Sequence, residues 1–289
     1  MPDVPEGHDT PRPSTYLVIP YLPGDRGAPG TDRPVHAPAI WWLCPSLHVT
    51  GTPGPGVFEP GKPMNITVDV ANFGTGTGAA VVSVVVWWSR PSTAFTELHW
   101  FGQDVIAVPS HGAVASTRPM TGAIPVDAPP HVCLLARATA LASPLPPGGV
   151  ADPINDAHWA QHNLDAVTVP AGQPDFPFRF AWSAGNPGAD PARYQVSARP
   201  SGPRTLEALA EMFRAHPVRD ADLRLLIGDA EGPQSLELPG GAQQDMLLSG
   251  VLGTPLEPGT FTAIDIVQVD VTDEQRMVGA VGLVLVADR

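Results

Sequence analysis

From residue 64 to residue 70 apolar and polar side chains alternate without a break: Met64, Ile66, Val68 and Val70 take turns with Asn65, Thr67 and Asp69. Only an extended chain, whose side chains point alternately to two faces, turns a period of two into one apolar and one polar surface. The pattern recurs along the chain. Residues 80–88 are dense in valine and end in Trp87 and Trp88, a β-branched and aromatic composition that favours strand over helix. Phe176, Phe178, Phe180 and Trp182 alternate with Pro177, Arg179 and Ala181, and Tyr194, Val196 and Ala198 alternate again. Residues 281–286 form a nearly unbroken apolar run, as a central strand does. Further strands are expected at 41–49, 96–101, 104–108, 113–118, 131–140, 165–169, 223–227, 235–238, 244–252, 260–271 and 277–286.

The 36 prolines and 29 glycines among 289 residues gather between these runs, as turns between short strands require. One segment breaks the pattern. In residues 205–216, Leu206, Leu209, Met212 and Phe213 share one helical face, Thr205 can cap the start and Pro217 stops the run. The expected fold is therefore all-β: two immunoglobulin-like β-sandwich domains, 39–170 and 175–289, with one short inserted helix, behind a Pro-rich N-terminal arm, 1–38. Within the arm, Tyr16-Leu-Val-Ile-Pro-Tyr-Leu22 is apolar and Pro20 forbids a helix. Left in water it would expose costly apolar area, so it is expected to lie along a domain or a neighbour, with Tyr16, Ile19 and Tyr21 as contacts. The two halves share an Asn-x-Gly strand ending, Asn72-Phe-Gly74 and Asn186-Pro-Gly188, which suggests a degenerate repeat.

Charge narrows the partners. The net charge is −13, Lys62 is the sole lysine, and the arginines are scattered singly. No nucleic-acid partner is expected of such a surface. The longest apolar stretch, residues 79–88, is too short to cross a bilayer as a helix, so membrane insertion is not expected either. The first residues lack a basic n-region and an apolar h-region. The expectation is a protein cytoplasmic as synthesised, or part of a particle released from there.

Little chemistry is legible. Cys44 and Cys133 lie outside any C-x-x-C motif, and two buried free thiols are expected in preference to a disulfide closing a long loop. His158 and His162 stand four apart, the spacing of two metal ligands on a helix, but Trp159 occupies the position of the glutamate in H-E-x-x-H. An Asx-rich turn over Asp152, Asn155 and Asp156 is the preferred reading, with no metal and no cofactor. Gly74-Thr-Gly-Thr-Gly78 leads into a strand, where a phosphate cradle needs a helix. Acidic residues near the helix, Glu207 and Glu211 among them, stand in solvated contexts. The chain is not expected to be an enzyme. Trp41, Trp42, Trp87, Trp88, Trp100 and Trp159 all fall in the first half. Adjacent strand residues cannot both face one core, so Trp42 or Trp88 is expected at an interface with the arm, the second domain or another chain.

The segment Asn65-Ile-Thr-Val-Asp-Val-Ala-Asn-Phe-Gly-Thr-Gly resembles the opening of CARDB- and APHP-type bacterial immunoglobulin-like domains, where a V-x-V-x-V-x-N-x-G strand leads into a Gly-rich turn. The Asn-rich stretch from Asp152 to Asn163 and the run from His131 to Arg137 resemble the end of the same domain, so that the likeness covers about residues 40–170. It implies a seven-stranded sandwich used for adhesion, scaffolding or presentation, without catalytic residues. The expected role is a non-catalytic subunit or accessory of a larger protein assembly, such as a phage-tail-like particle, with other protein subunits or further copies of itself as partners. The alternative is a carbohydrate- or ligand-binding module using exposed tryptophans.

Overall fold

The computed structural model describes residues 13–141, 150–272 and 276–288; the first twelve residues of the arm lie outside the described residues. The chain is all-β, two sandwiches in sequence with one helix among the described residues. The first contains β1 (Leu17–Val18), β2 (Leu47–Thr50), β3 (Pro63–Asn72), β4 (Ala80–Ser89), β5 (His99–Val108), β6 (Ala113–Ser116), β7 (Met120–Ala123), β8 (Val132–Thr139) and β9 (Trp159–Leu164). In one of its sheets β3 pairs with β1, β2, β6 and β7; the other runs β5-β4-β8-β9. Met64, Ile66, Val68 and Val70 from β3 are buried together with Val82, Val84 and Val86 from β4 and with Leu134 and Ala136 from β8. The alternation of the sequence is thus spent on one shared core.

Several segments differ from the sequence-based expectation, each for a physical reason. Residues 99–101 and 104–108 belong to one strand, β5, because a bulge opposite Val86 and Trp87 takes up the extra residue Phe101, while residues 96–98 lie in the loop before it. Residues 40–43 leave the expected first strand: Pro45 interrupts it, and β2 begins only at Leu47. The Asx-rich segment is a turn over residues 152–158, followed by β9, whose six residues are all buried. Polar Gln161, His162 and Asn163 hid this strand, since both its faces are covered.

The second sandwich holds β10 (Ala166–Val169), β11 (Phe176–Gly185), β12 (Ala192–Pro200), α1 (Pro203–Phe213), β13 (His216–Pro217), β14 (Leu223–Ile227), β15 (Ala230–Glu231), β16 (Gln234–Leu238), β17 (Gln243–Leu252), β18 (Thr260–Asp270) and β19 (Arg276–Ala287). One sheet runs β10-β19-β18-β12-β16 with β13 against β18; the other runs β11-β17-β14-β15. Strand β10, expected to close the first sandwich, pairs parallel with β19 instead. Phe178, Phe180, Trp182, Ile264, Ile266, Val281, Leu283 and Leu285 fill the space between the sheets. Helix α1 starts at Pro203, whose missing N–H costs nothing in a first turn. It ends where Arg214 turns left-handed at φ 48° and donates its N–H to Ala210 O. Among the described residues no helix is long and apolar enough to cross a membrane.

The Asn-x-Gly endings have the same structure twice. Asn72 Oδ1 accepts the Gly74 N–H at 3.0 Å and Asn186 Oδ1 that of Gly188 at 2.9 Å. Each amide also donates across the sandwich, to Val108 O at 3.3 Å and Leu238 O at 3.0 Å. Both asparagines are fully buried, so each turn is tied to its own sandwich by a side chain whose polar atoms are used up.

Candidate functional site

The arm belongs to the first sandwich. Leu17 and Val18 pair with Asn72 and Ala71 of β3, and Leu17, Ile19 and Tyr21 join the core. Tyr16 donates its hydroxyl to Gly27 O at 2.7 Å, and Tyr21 accepts the Gln161 N–H at 3.0 Å. A buried Arg33–Asp25 pair at 3.0 Å braces the turn behind it. As contacts for another molecule, Ile19 and Tyr21 are corrected: the chain's own sheet covers them. Trp88 is also buried, stacked on His99 with ring centroids 4.2 Å apart. Trp42 is buried by the second sandwich, its indole N–H donating to Asp265 Oδ1 at 3.1 Å. The exposed tryptophan is Trp100, at 64%. The bulge that displaces Phe101 inward turns it out, and no alternation rule announces that.

His158 and His162 do not converge. His158 precedes β9, its Nδ1 2.8 Å from Asp156 Oδ1, while His162 Nδ1 lies 3.1 Å from Cys44 O. Burial pushes the His162 imidazole down to about 4, so it is neutral in the core. Cys44 and Cys133 are free and buried. Burial pushes the Cys44 thiol up to about 12 and the Cys133 thiol upward as well, which withholds the thiolate that nucleophilic chemistry needs. Among the described residues no three His, Cys, Asp or Glu side chains gather closely enough to hold a metal ion.

Two features stand out instead. The first is the junction of the sandwiches. The outer face of β18 and β19 carries Phe261, Ala263, Val267, Ala280 and Val284, and it is covered by Ile40, Trp42 and Leu43 on one side and by Leu206 and Leu209 of α1 on the other. Backbones approach closely here. A Cβ at Gly282 would lie 1.9 Å from Trp42 Cε2, and one at Gly279 would lie 1.8 Å from Thr93 O; only glycine fits. Gln161 donates to Ala280 O at 3.0 Å, and Thr93 N–H to Ser183 O at 3.0 Å. The two sandwiches are therefore fused over an apolar, hydrogen-bonded face. Beside it opens a cavity of about 580 Å³ lined by Ile40, Trp41, Trp42, Arg199, Arg204 and Asp265, among others.

The second feature is the β4–β5 hairpin. Strand β5 ends its sheet, pairing among the described residues with β4 alone. Trp100, Val105 at 57% and Val81 at 72% are exposed. A groove of about 650 Å³ runs between β5 and residues 118–123. The only carboxylate on these two strands, Asp104, is buried at 6% and bonded by the Arg118 side chain and N–H. That pairing pulls the Asp104 carboxyl down to about 2.

No family model and no curated protein matches the chain. Among solved structures, the N-terminal domain of PorA is 13% identical with a TM-score of 0.27, over 43% of this chain and 87% of that one. The collagen adhesin CNA from S. aureus is 8% identical at 0.21, over 83% and 91%. A red sea bream transglutaminase is 11% identical at 0.23, over 84% of this chain but 31% of the enzyme. Scores this low carry no argument about function, and the all-β architecture stands on the strand pairings above.

Proposed function

We propose that this chain is a non-catalytic structural protein that joins an assembly by self-association, the β5 edge of one copy pairing with the β5 edge of a second. The observation that carries this reading is a ten-residue edge strand without lysine or proline, beside exposed Trp100, Val81 and Val105. An edge strand presents N–H and C=O groups that a second strand can pair; β5 lacks the lysine and proline that blunt such edges and keeps only the bulge at Phe101 and the inward Asp104 against pairing. Charge favours a second copy as occupant. A chain of net charge −13 repels itself, and the least costly approach is along two strands whose sole carboxylate, Asp104, is sealed inward, with Glu97 confined to the loop that joins them. Antiparallel pairing of two identical edges closes a two-fold dimer and leaves no further edge of that kind. The inert thiols and the core-bound His162 support a non-catalytic role. The buried Asn72 turn that ends β3 is what the CARDB-type motif implies, and we carry that family likeness forward as part of the proposal.

Light scattering tests the reading. The chain is expected to run as a dimer at about 50 μM, and Val105→Lys to weaken association by about tenfold or more, since the edge would then carry a charge with no partner. A monomer at every concentration overturns it. Trp100 supports a second reading, a carbohydrate platform, because exposed indole rings stack on apolar ligand faces. Glycan binding lost on Trp100→Ala, in a chain that stays monomeric, would favour that reading.

A further inference from the structure

The junction cavity has a volume of about 580 Å³, within the roughly 300–1,000 Å³ typical of small-molecule sites, which favour domain interfaces. Its chemistry is divided. Ile40, Trp41 and Trp42 give an apolar floor. Asp265, only 5% exposed, lines it; its Oδ1 accepts from Trp42 at 3.1 Å and from Ser201 at 2.8 Å. No hydrogen bond from the described residues reaches its Oδ2, which is left free to accept one. Ser201 directly precedes Gly202, the N-cap of the eleven-residue α1, which has no side-chain cap and no acidic residue in its first turn. The Arg204 and Thr205 N–H groups lie in that first turn, where a helix supplies no acceptor. Exposed Arg199 and Arg204 stand at the mouth. The Ser201 bond thus ties an acceptor for a cation, Asp265, to the residue just before the helix start that can receive an anion, beside an apolar floor.

We propose that this cavity binds a small ligand carrying an ammonium group beside a carboxylate, an α-amino acid with an apolar side chain. The ammonium bonds Asp265 Oδ2, the carboxylate meets Arg199, Arg204 and the start of α1, and the side chain lies against Trp41 and Trp42. This is separate from self-association, since the cavity lies at the junction and not on the β4–β5 hairpin.

The test is a tryptophan-fluorescence titration of the full-length Val105→Lys chain with leucine, N-acetylleucine and leucinamide. Leucine is expected to give a saturable change with a midpoint at or below about 1 mM. Each blocked compound should bind at least about tenfold more weakly, the cost of one lost charged hydrogen bond. Asp265→Asn should abolish the preference for leucine over N-acetylleucine. Arg199→Gln, at an exposed position that leaves the fold intact, should weaken leucine and leave leucinamide unchanged, and it decides the matter if Asp265→Asn does not fold. No saturable response to leucine, equal response to all three compounds, or leucine binding untouched by Arg199→Gln overturns the proposal.

Discussion

At the scale of single residues, several buried polar atoms lack a partner among the described residues, and Asp165 is the carboxylate among them. It is 3% exposed and neither carboxylate oxygen has a hydrogen-bond partner among the described residues, although the Asn163 amide and the Val132 N–H approach it. Burial pushes its carboxyl well above the usual range. Because its folded value exceeds its unfolded one, it is costless when protonated. Its stability cost therefore grows as pH rises from about 3.9 through the folded value. Asp165→Asn is expected to stabilise the protein at pH 7 by about 1–3 kcal/mol, with the gain shrinking toward pH 4. Urea denaturation at both pH values checks this, and a loss of stability at pH 7 would show that the carboxylate has a partner. None of this was legible in the sequence, where Asp165 reads as the polar start of a strand. Trp42 was half legible: an interface was expected for it, but the Gly282 gap that receives it looks from sequence like any small residue in an apolar run.

At the scale of elements, period-two runs marked β3, β11 and β12 and β-branched density marked β4, and each has one buried and one less buried face. Strand β9 escaped because that contrast is missing: every residue is buried, and polar residues stand on both faces, with Gln161 bonding across the junction to Ala280 and His162 bonding Cys44. The helix was found from its apolar face, while its start was misplaced by two residues because Gly202 caps without a side chain. In β5, Asp104 offers a clean pH experiment. The Arg118 hydrogen bonds hold its carboxyl at about 2, below an unfolded value near 3.9. The stabilisation is complete above the unfolded value and is lost as pH falls toward 2. Arg118→Gln should move the acid-side loss of stability to higher pH, visible in thermal midpoints recorded from pH 2 to 5. Identical acid limbs in the two proteins would mean that the pair contributes nothing.

At the scale of the whole molecule, two sandwiches are welded by glycines, a buried tryptophan and polar side chains that reach across, so the chain presents itself to others as one body. His162 and both thiols are buried in its interior, and the surface proposed for contact is the β4–β5 hairpin. Antiparallel pairing of two β5 edges brings Gln103, exposed near the middle of that strand, close to its own copy. Both native cysteines are buried, so a thiol placed there reports alone. After mild oxidation at about 50 μM, Gln103→Cys should run as a covalent dimer on a non-reducing gel, while the same substitution at exposed Glu237 of β16 should stay monomeric. Gln103→Cys that remains monomeric, or cross-links no faster than Glu237→Cys, contradicts the account.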